Sequence, residues 1–260
     1  MAYVMLSRVE SIEQLFILDE FDETKIYGNQ EAIRELEKMN KLSINEKPSN
    51  WYNIDLRQTR VSVLNCGSLR PQFEHISEDS TLTISDAICL TETWLWTDED
   101  TTRFELKGFT THHNAAGRGR GVSVYYKRDK FTHIQDIKED KVQLTKMTGK
   151  HFDLIIIYKA PAGTDSVLQN QLQAAVNLER PTLVCGDFNM CFIDNRNNRT
   201  TQFLTKNGFK QLVHCATHIE GGHIDHVYIC NLMVNIELYS PYFTAKDHDG
   251  LCISIPDTEE

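Results

Sequence analysis

Residues 181–189 read PTLVCGDFN, and the interpretation of this stretch decides the fold. Thr182, Leu183, Val184 and Cys185 are apolar or β-favouring and predict a buried strand, and Gly186 predicts a sharp turn directly after it. Asp187 and Asn189 follow that turn, where α/β sheets commonly present ligands. Two residues apart at a strand end, the carboxylate and the amide share one face, close enough to hold one water or one phosphate. GDFN alone is equally compatible with a plain turn. Its meaning depends on whether other strand ends supply complementary groups.

Composition sets the frame for that search. A chain of 260 residues can bury one substantial core, or one core plus an appendage, and its 40% hydrophobic and 25% charged residues are ordinary for a globular protein. The net charge of −10 counts against non-specific attraction to nucleic-acid phosphates. It weakens a binding-protein reading more than a nuclease reading, because a cation site needs clustered carboxylates and basic residues can still gather on one rim. No apolar run approaches the ~20 residues of a membrane span, and residues 1–20 lack the layout of a signal peptide, so no membrane partner is expected. The seven cysteines include no C-x-x-C pair, and Cys66, Cys89, Cys185, Cys230 and Cys252 lie in strand-like runs. They predict reduced, buried thiols in an intracellular protein, with neither a disulfide framework nor a zinc site.

The front of the chain differs from the rest. Residues 1–20 hold a strand-like start, Arg8 and a second apolar run at Leu15–Leu18; residues 31–40 place Ala32, Ile33, Leu36 and Met39 at helical spacing. YVMLSRVESIEQLFIL resembles the final motif of PIF-type superfamily-one DNA helicases, and Arg8 occupies the position of that family's γ-phosphate arginine. The resemblance covers about residues 2–40. A plain reading of Arg8 as an exposed turn arginine stands beside it. No G-x-x-x-x-G-K-[ST] loop occurs in the chain, so the expectation is an inactive helicase end rather than a working ATPase. The expected organisation is therefore a helicase remnant over 1–42, a polar connector with Pro48 over 43–60, and a second domain over 61–260.

From residue 61 strand-like runs recur, at Val61–Cys66, Ala87–Trp94, Gly121–Lys127, Asp153–Tyr158, Pro181–Cys185, Ile224–Cys230, Val234–Tyr239 and Leu251–Ile255. Helical spacing appears at Leu168–Leu178 and Thr201–Phe209. Many strands with few regular β-α alternations predict two packed sheets flanked by helices, an α/β sandwich. GRGRG at 117–121 reads equally as a mobile turn or as a phosphate contact.

Six predicted strand ends carry polar groups: Asn65, Glu92, Tyr158, the pair Asp187 and Asn189, Asp225, and the pair Asp247 and His248. Each has an ordinary explanation. Asn65 can fix a turn, Asp225 can cap a loop, Tyr158 can be a core tyrosine, and a lone histidine is more often structural than catalytic. Glu92 resists such an account, because a carboxylate within an apolar strand is costly unless paired or bound to a cation. Six such features in one domain favour a site.

LNCGS, LTETW, IYKAP, GDFN, IDHVYI and DHDGL, in this order across about residues 61–256, resemble the endonuclease/exonuclease/phosphatase superfamily with its DNase I-like fold. The resemblance implies a four-layered α/β sandwich of two mostly antiparallel sheets between helices, with the site at one edge. It implies Glu92 as principal Mg²⁺ ligand, assisted by Asn65 and Asp247, with Mn²⁺ as a substitute ion. Asp187 corresponds to the residue that orients or deprotonates the attacking water, with Asn189 beside it. His248 corresponds to the histidine on the scissile phosphate, Asp225 to the carboxylate that orients it, and Tyr158 to a phosphoryl contact; Asn65 and Asn189 join the phosphate-binding group. Two positions depart from the family pattern: Lys246 stands where serine often precedes the D-H pair, and Ala162 stands in place of the asparagine of Y-x-P-N.

Tyr158 separates the chain from the inositol-phosphatase and secreted branches, which carry histidine in that motif. LTETWL and ATHIEGGHIDHVYI resemble mobile-element endonucleases, and the helicase-like front resembles Helitron-related (Helentron-type) transposon proteins. The resemblance thus implies a Mg²⁺-dependent DNA endonuclease that nicks to leave a 3′-hydroxyl. It also implies a larger helicase-nuclease polypeptide as its parent, working in the nucleus. The alternatives are a phosphomonoesterase acting on inositol phosphates or nucleotides, and an inactive interaction module.

Overall fold

Leu154, Ile155, Ile156 and Ile157 are four consecutive apolar residues, all fully buried. Side chains alternate across a strand, so such a run is stable only where both faces of its sheet are covered. The computed structural model of the protein meets that requirement; it describes residues 50–53, 57–96, 101–193, 198–241, 243 and 247–257. The helicase-like segment with Arg8, and Lys246, lie outside the described residues. One sheet is built from β1 (Gln58–Asn65), β2 (Ala87–Thr91), β3 (Thr110–Asn114), β4 (Val122–Tyr126), β11 (Asn235–Tyr239) and β12 (Gly250–Pro256), in the order β11-β12-β1-β2-β4-β3. The other contains β5 (Phe131–Glu139), β6 (Val142–Gly149), β7 (Asp153–Lys159), β8 (Thr182–Asp187), β9 (Lys210–Gln211) and β10 (Asp225–Cys230), in the order β5-β6-β7-β8-β10-β9.

Alternate residues of each central strand face different layers. Leu154, Ile156 and Cys185 pack between the sheets against Val61, Val63, Cys89 and Ile253. Ile155, Ile157 and Val184 face outward, onto Leu168, Leu172 and Ala175 of α3 (Asp165–Ala175) and Leu204 of α4 (Arg199–Lys206). On the opposite side Leu64, Ile88 and Leu90 meet Leu69 and Ile76 of α1 (Leu69–Glu78) and Leu82 of α2 (Ser80–Thr83). Each buried Val, Leu or Ile among them contributes roughly 1.5–3 kcal/mol, and together these side chains hold a four-layered α/β/β/α sandwich. Among the described residues no helix is long and apolar enough to cross a membrane.

Strand direction positions the site. β1 and β2 run parallel, as do β7 and β8. Such pairs need crossovers, here α1–α2 and α3. Their carboxyl ends therefore share one edge, and antiparallel β12 and β10 bring their amino ends to the same edge.

Several local expectations shift. α1 was not visible as a helix because LRPQFEHISE has Pro71 at its third position; the first turn tolerates proline, where its missing N–H has no intrahelical partner anyway. The edge strand β5, FTHIQDIKE, is charged and half exposed, so it carries little apolar signal. The helices are Asp165–Ala175 and Arg199–Lys206 rather than 168–178 and 201–209. β1 begins at Gln58, inside the stretch read as a connector, and before it Trp51 is buried, its indole N–H donating to the Thr81 carbonyl at 3.1 Å. Gly186 does not turn the chain. β8 runs through it to Asp187, and the glycine instead admits the neighbouring strand: a Cβ here would stand 2.0 Å from the Ile157 carbonyl oxygen.

Candidate active site

Asp187 is the last residue of β8, and its lateral neighbours are set by register: Tyr158 on β7 and Asp225 on β10. Asn65, at the end of β1, comes from the other sheet and donates its amide N–H to Asp187 Oδ2 at 2.9 Å. Asn189 folds back over the same carboxylate from a left-handed backbone conformation at φ 45°. Asparagine tolerates that region better than most residues. Its backbone N–H donates to Oδ1 at 2.8 Å and its side-chain amide to Oδ2 at 3.0 Å. Asp187 is wholly buried. Burial first, then the charges of Asp225 and Glu92, push its pKa up to about 8 against the opposing influence of His248 and the Asn189 N–H. A carboxylate brought close to neutrality is a competent proton acceptor.

His248 enters just ahead of β12, held by a single β-bridge to His218, whose ring stands edge-on to it at 4.9 Å. Its Nδ1–H donates to Asp225 Oδ2 at 2.8 Å, and its Nε2 lies 3.3 Å from Asn65 Nδ2, which can donate to it only while the ring is neutral. The oxygen of that amide accepts the Gly67 N–H at 3.1 Å. Asp225 is itself placed by its backbone N–H, which donates to Thr217 Oγ1 at 3.1 Å. Burial disfavours the charged imidazole, but the hydrogen bond and charge of Asp225, backed by Asp187 and Glu92, raise the His248 pKa to about 9.

That shift has a stability consequence. A histidine whose pKa is raised on folding from 6.5 to about 9 stabilises the fold fully below 6.5, and the contribution is lost as pH rises through 9. In chelator, thermal unfolding of the wild type should therefore lose more stability between those pH values than His248→Gln, by up to about 3 kcal/mol. Parallel pH profiles for the two proteins would count against the His248–Asp225 pair as described.

Glu92 is not within a strand. β2 ends at Thr91, and Glu92 and Trp94 both take left-handed conformations, at φ 52° and 58°. The turn they make is tied to the loop after β1, with the Ser68 N–H donating to the Glu92 carbonyl at 2.8 Å and the Leu69 N–H to the Thr93 carbonyl at 3.0 Å. Such conformations cost of order 1–3 kcal/mol each and persist where surroundings over-determine them. Here they bring a half-buried carboxylate to the mouth of the sandwich. Trp94 Nε1–H donates to Glu92 Oε2 at 3.2 Å; the Tyr158 hydroxyl lies 3.2 Å from Oε1 and 2.8 Å from the Gly119 carbonyl, to either of which it can donate. Burial, then the charges of Glu92 and Asp187, raise the Tyr158 pKa well above its ordinary value, so the phenol stays a donor.

The structure thus brings Asn65, Glu92, Tyr158, Asp187, Asn189, Asp225 and His248 to one edge. Asp247 differs: it is exposed, its backbone carbonyl accepts the Ile219 N–H at 2.8 Å, and no hydrogen bond among the described residues links its carboxylate to the group. Thr217, His218 and Trp94 also shape the site and went unread, because their roles depend on loop conformations that no local pattern marks. GRGRG gave a partial signal. Its Gly119 carbonyl meets Tyr158, and Arg118 lies over the Trp94 ring at 5.8 Å.

The donor chemistry suits a hard dication. Glu92, Asp187 and Asp225 supply carboxylate oxygens in one site; burial and then their mutual repulsion raise Asp187, and a bound cation would offset that repulsion. Ligand atoms of Asp187, Asp225 and His248 lie within 4.8 Å of one another.

Residues 56–244 match a family model described as the endonuclease/exonuclease/phosphatase family. No curated protein matches the chain. Among solved structures, an AP endonuclease from Archaeoglobus fulgidus aligns with a TM-score of 0.62 at 15% identity, covering 77% of this chain and 100% of that one. The endonuclease domain of TRAS1, a telomere-specific non-LTR retrotransposon, gives 0.58 at 14% identity over 76% of this chain and 98% of its own. The 3′ phosphatase NExo from Neisseria, bound to product DNA hairpin, gives 0.55 at 15% identity, covering 76% of this chain and 100% of that one. At such identities these likenesses concern the fold alone.

Proposed function

Since the chain belongs to the endonuclease/exonuclease/phosphatase family, we propose that it is a Mg²⁺-dependent DNA endonuclease of a mobile genetic element that nicks one strand and leaves a 3′-hydroxyl. The observation that carries this reading is the run of contacts Asp225–His248···Asn65–Asp187, which links the two sheets beside the Glu92–Tyr158 pair. It sets a proton acceptor and a cationic donor on either side of one amide. A phosphate diester seated there meets both.

In this mechanism Asp187, its carboxylate held by Asn189, orients the attacking water and takes its proton. The water oxygen bonds to phosphorus as the P–O3′ bond breaks, and the departing 3′-oxygen takes a proton from solvent. Asp225 fixes the His248 ring, so that Nε2–H, once protonated, is aimed at a phosphoryl oxygen and spreads the charge that develops there. Tyr158, neutral and anchored beside Glu92, offers a further hydroxyl to the phosphate. Glu92 and the Asn65 oxygen, with its second lone pair, would hold Mg²⁺ or Mn²⁺, which when bound supplies Lewis-acid stabilisation of phosphoryl charge. Asp247 would reach the ion only through its exposed position on the rim.

The choice of DNA over a phosphomonoester rests on Tyr158, which stands where the phosphatase branches carry histidine. The fold shared with a retrotransposon endonuclease domain supports the mobile-element reading. So does the helicase-like motif of residues 2–40, which also supports a larger helicase-nuclease parent. Supercoiled plasmid incubated with Mg²⁺ tests the proposal. Wild type should yield open circles with ligatable 3′-hydroxyl ends, and Glu92→Ala should yield none above blank. Equal background from the two proteins would end this reading; phosphate release from inositol phosphates without plasmid nicking would shift it to the phosphomonoesterase.

A further inference from the structure

At the opposite side of the sandwich from β11, the edge strands β3 and β5 belong to different sheets, and three side chains meet between them. His112 Nε2 lies 2.7 Å from Asp136 Oδ2, and His133 Nε2 lies 3.3 Å from Asp136 Oδ1. The two imidazoles stack at 3.7 Å between centroids. From these contacts we infer a second metal site, in which His112, His133 and Asp136 bind a divalent transition metal such as Zn²⁺ and staple the two sheets together.

Backbone geometry is the first support. His133 and Asp136 are three residues apart on one strand, a spacing that ordinarily sends side chains to opposite faces. Here the pairing of β5 with β6 slips between His133 and Gln135, leaving an extra residue at Ile134. A bulge of this kind re-aims side chains and is often found next to functional sites. It turns His133 to the same side as Asp136, and leaves Ile134 half exposed as the cost.

The donors supply the second. His133 Nε2 is buried yet completes no hydrogen bond, although a carboxylate oxygen is 3.3 Å away. Ligands bound tetrahedrally to Zn²⁺ stand roughly 3.3 Å apart, so this nitrogen and oxygen already have the separation of two ligands on one ion. Ligand atoms of all three residues lie within 4.8 Å of one another. Two imidazoles with one carboxylate suit Zn²⁺, Co²⁺ or Ni²⁺ rather than Mg²⁺, leaving a fourth position for water. Asp136 has the outer support that metal carboxylates usually have, since Thr145 Oγ1–H donates to its Oδ1 at 2.8 Å. The cysteine spacing that argues against a thiolate zinc site has no bearing on a histidine one.

The test uses the full chain stripped with chelator, titrated calorimetrically with Zn²⁺ in excess Mg²⁺. His248→Gln should keep one Zn²⁺ bound with the wild-type affinity of this site, which separates it from the catalytic group. His112→Gln/His133→Gln should weaken binding at least about 100-fold, and Thr145→Val about 10-fold. Zn²⁺ should raise the Tm of wild type but not of the double variant. Mg²⁺-supported nicking by the double variant, where the wild type nicks, should stay within about twofold. Equal Zn²⁺ affinity in wild type and the double variant, or a wild-type Tm that Zn²⁺ leaves unmoved, overturns the inference. If the double variant does not fold, an unchanged affinity in the near-isosteric Thr145→Val does so instead.

Discussion

Nicking of supercoiled DNA by His248→Gln is expected to fall about 10³-fold, within the 10²–10⁴-fold range of a positioned acid–base group. Glutamine preserves a polar side chain of similar reach but cannot carry the proton that Asp225 stabilises on the imidazole at 2.8 Å. The loss should fall on kcat with KM little changed, because the missing charge acts as negative charge builds on the phosphate. Asp225→Asn should cost less, about 10–100-fold, since the ring remains but its orientation and raised pKa are lost. The double variant should resemble His248→Gln alone, because Asp225 acts on the reaction through the histidine. Multiplicative losses, or a His248→Gln enzyme of near wild-type rate, would remove His248 from the mechanism. Unfolding curves taken beside the kinetics separate a chemical loss from a folding loss.

Gly186→Ala should be the most damaging single methyl group added to this domain. The new Cβ would lie 2.0 Å from the Ile157 carbonyl oxygen and 2.9 Å from its carbon, both backbone atoms of a central strand that cannot swing aside. The residue also sits at φ 133°, a region that side-chain-bearing residues rarely adopt. Overpacking of about 1–3 kcal/mol and backbone strain of about 1–3 kcal/mol add here. A destabilisation of about 3–5 kcal/mol follows, or a Tm lowered by roughly 6–20 °C for a domain of this size. Because Asp187 is the next residue and Tyr158 its paired neighbour, activity should fall even where enough protein folds to assay. Gly119→Ala makes a useful comparison: its φ of 69° is strained, but a Cβ there meets nothing within 4 Å. It should cost about 1 kcal/mol. An equal Tm for the two variants would contradict the close-approach account of Gly186.

The contrast between those glycines shows where reading residues in order succeeds and where it stops. Leu154–Ile157, Leu183–Cys185 and Ile253–Ile255 announce strands buried on both faces, and that demand leads directly to stacked sheets under helices. Polar residues terminating such runs, Asn65, Asp187, Asp225 and His248, stand out because the apolar background makes each one costly without a partner. Gly186 was legible as a special position, but not as the site of a close strand approach, since nothing in PTLVCGDFN reveals how near β7 comes. Glu92 was legible as anomalous; that it escapes the strand through a left-handed turn depends on hydrogen bonds to Ser68 and Leu69 from another loop.

What the amino-acid order determined by itself is therefore the α/β class, the positions of most core strands, and the residue types gathered at the candidate site. These follow from local physics: side-chain alternation, apolar burial, and the expense of an unpaired polar group. The tertiary structure alone decided which of those groups touch. Asn65 and Asp187 are 122 residues apart in the chain and 2.9 Å apart in space, because β1 and β8, each a member of a parallel pair in its own sheet, end at the same edge. His112 meets Asp136 where edge strands β3 and β5 of the two sheets come together, and His133 joins them only because a one-residue bulge turns it to the same side. Register, strand direction and bulges are properties of pairing between distant segments, and they settle which side chains share a site.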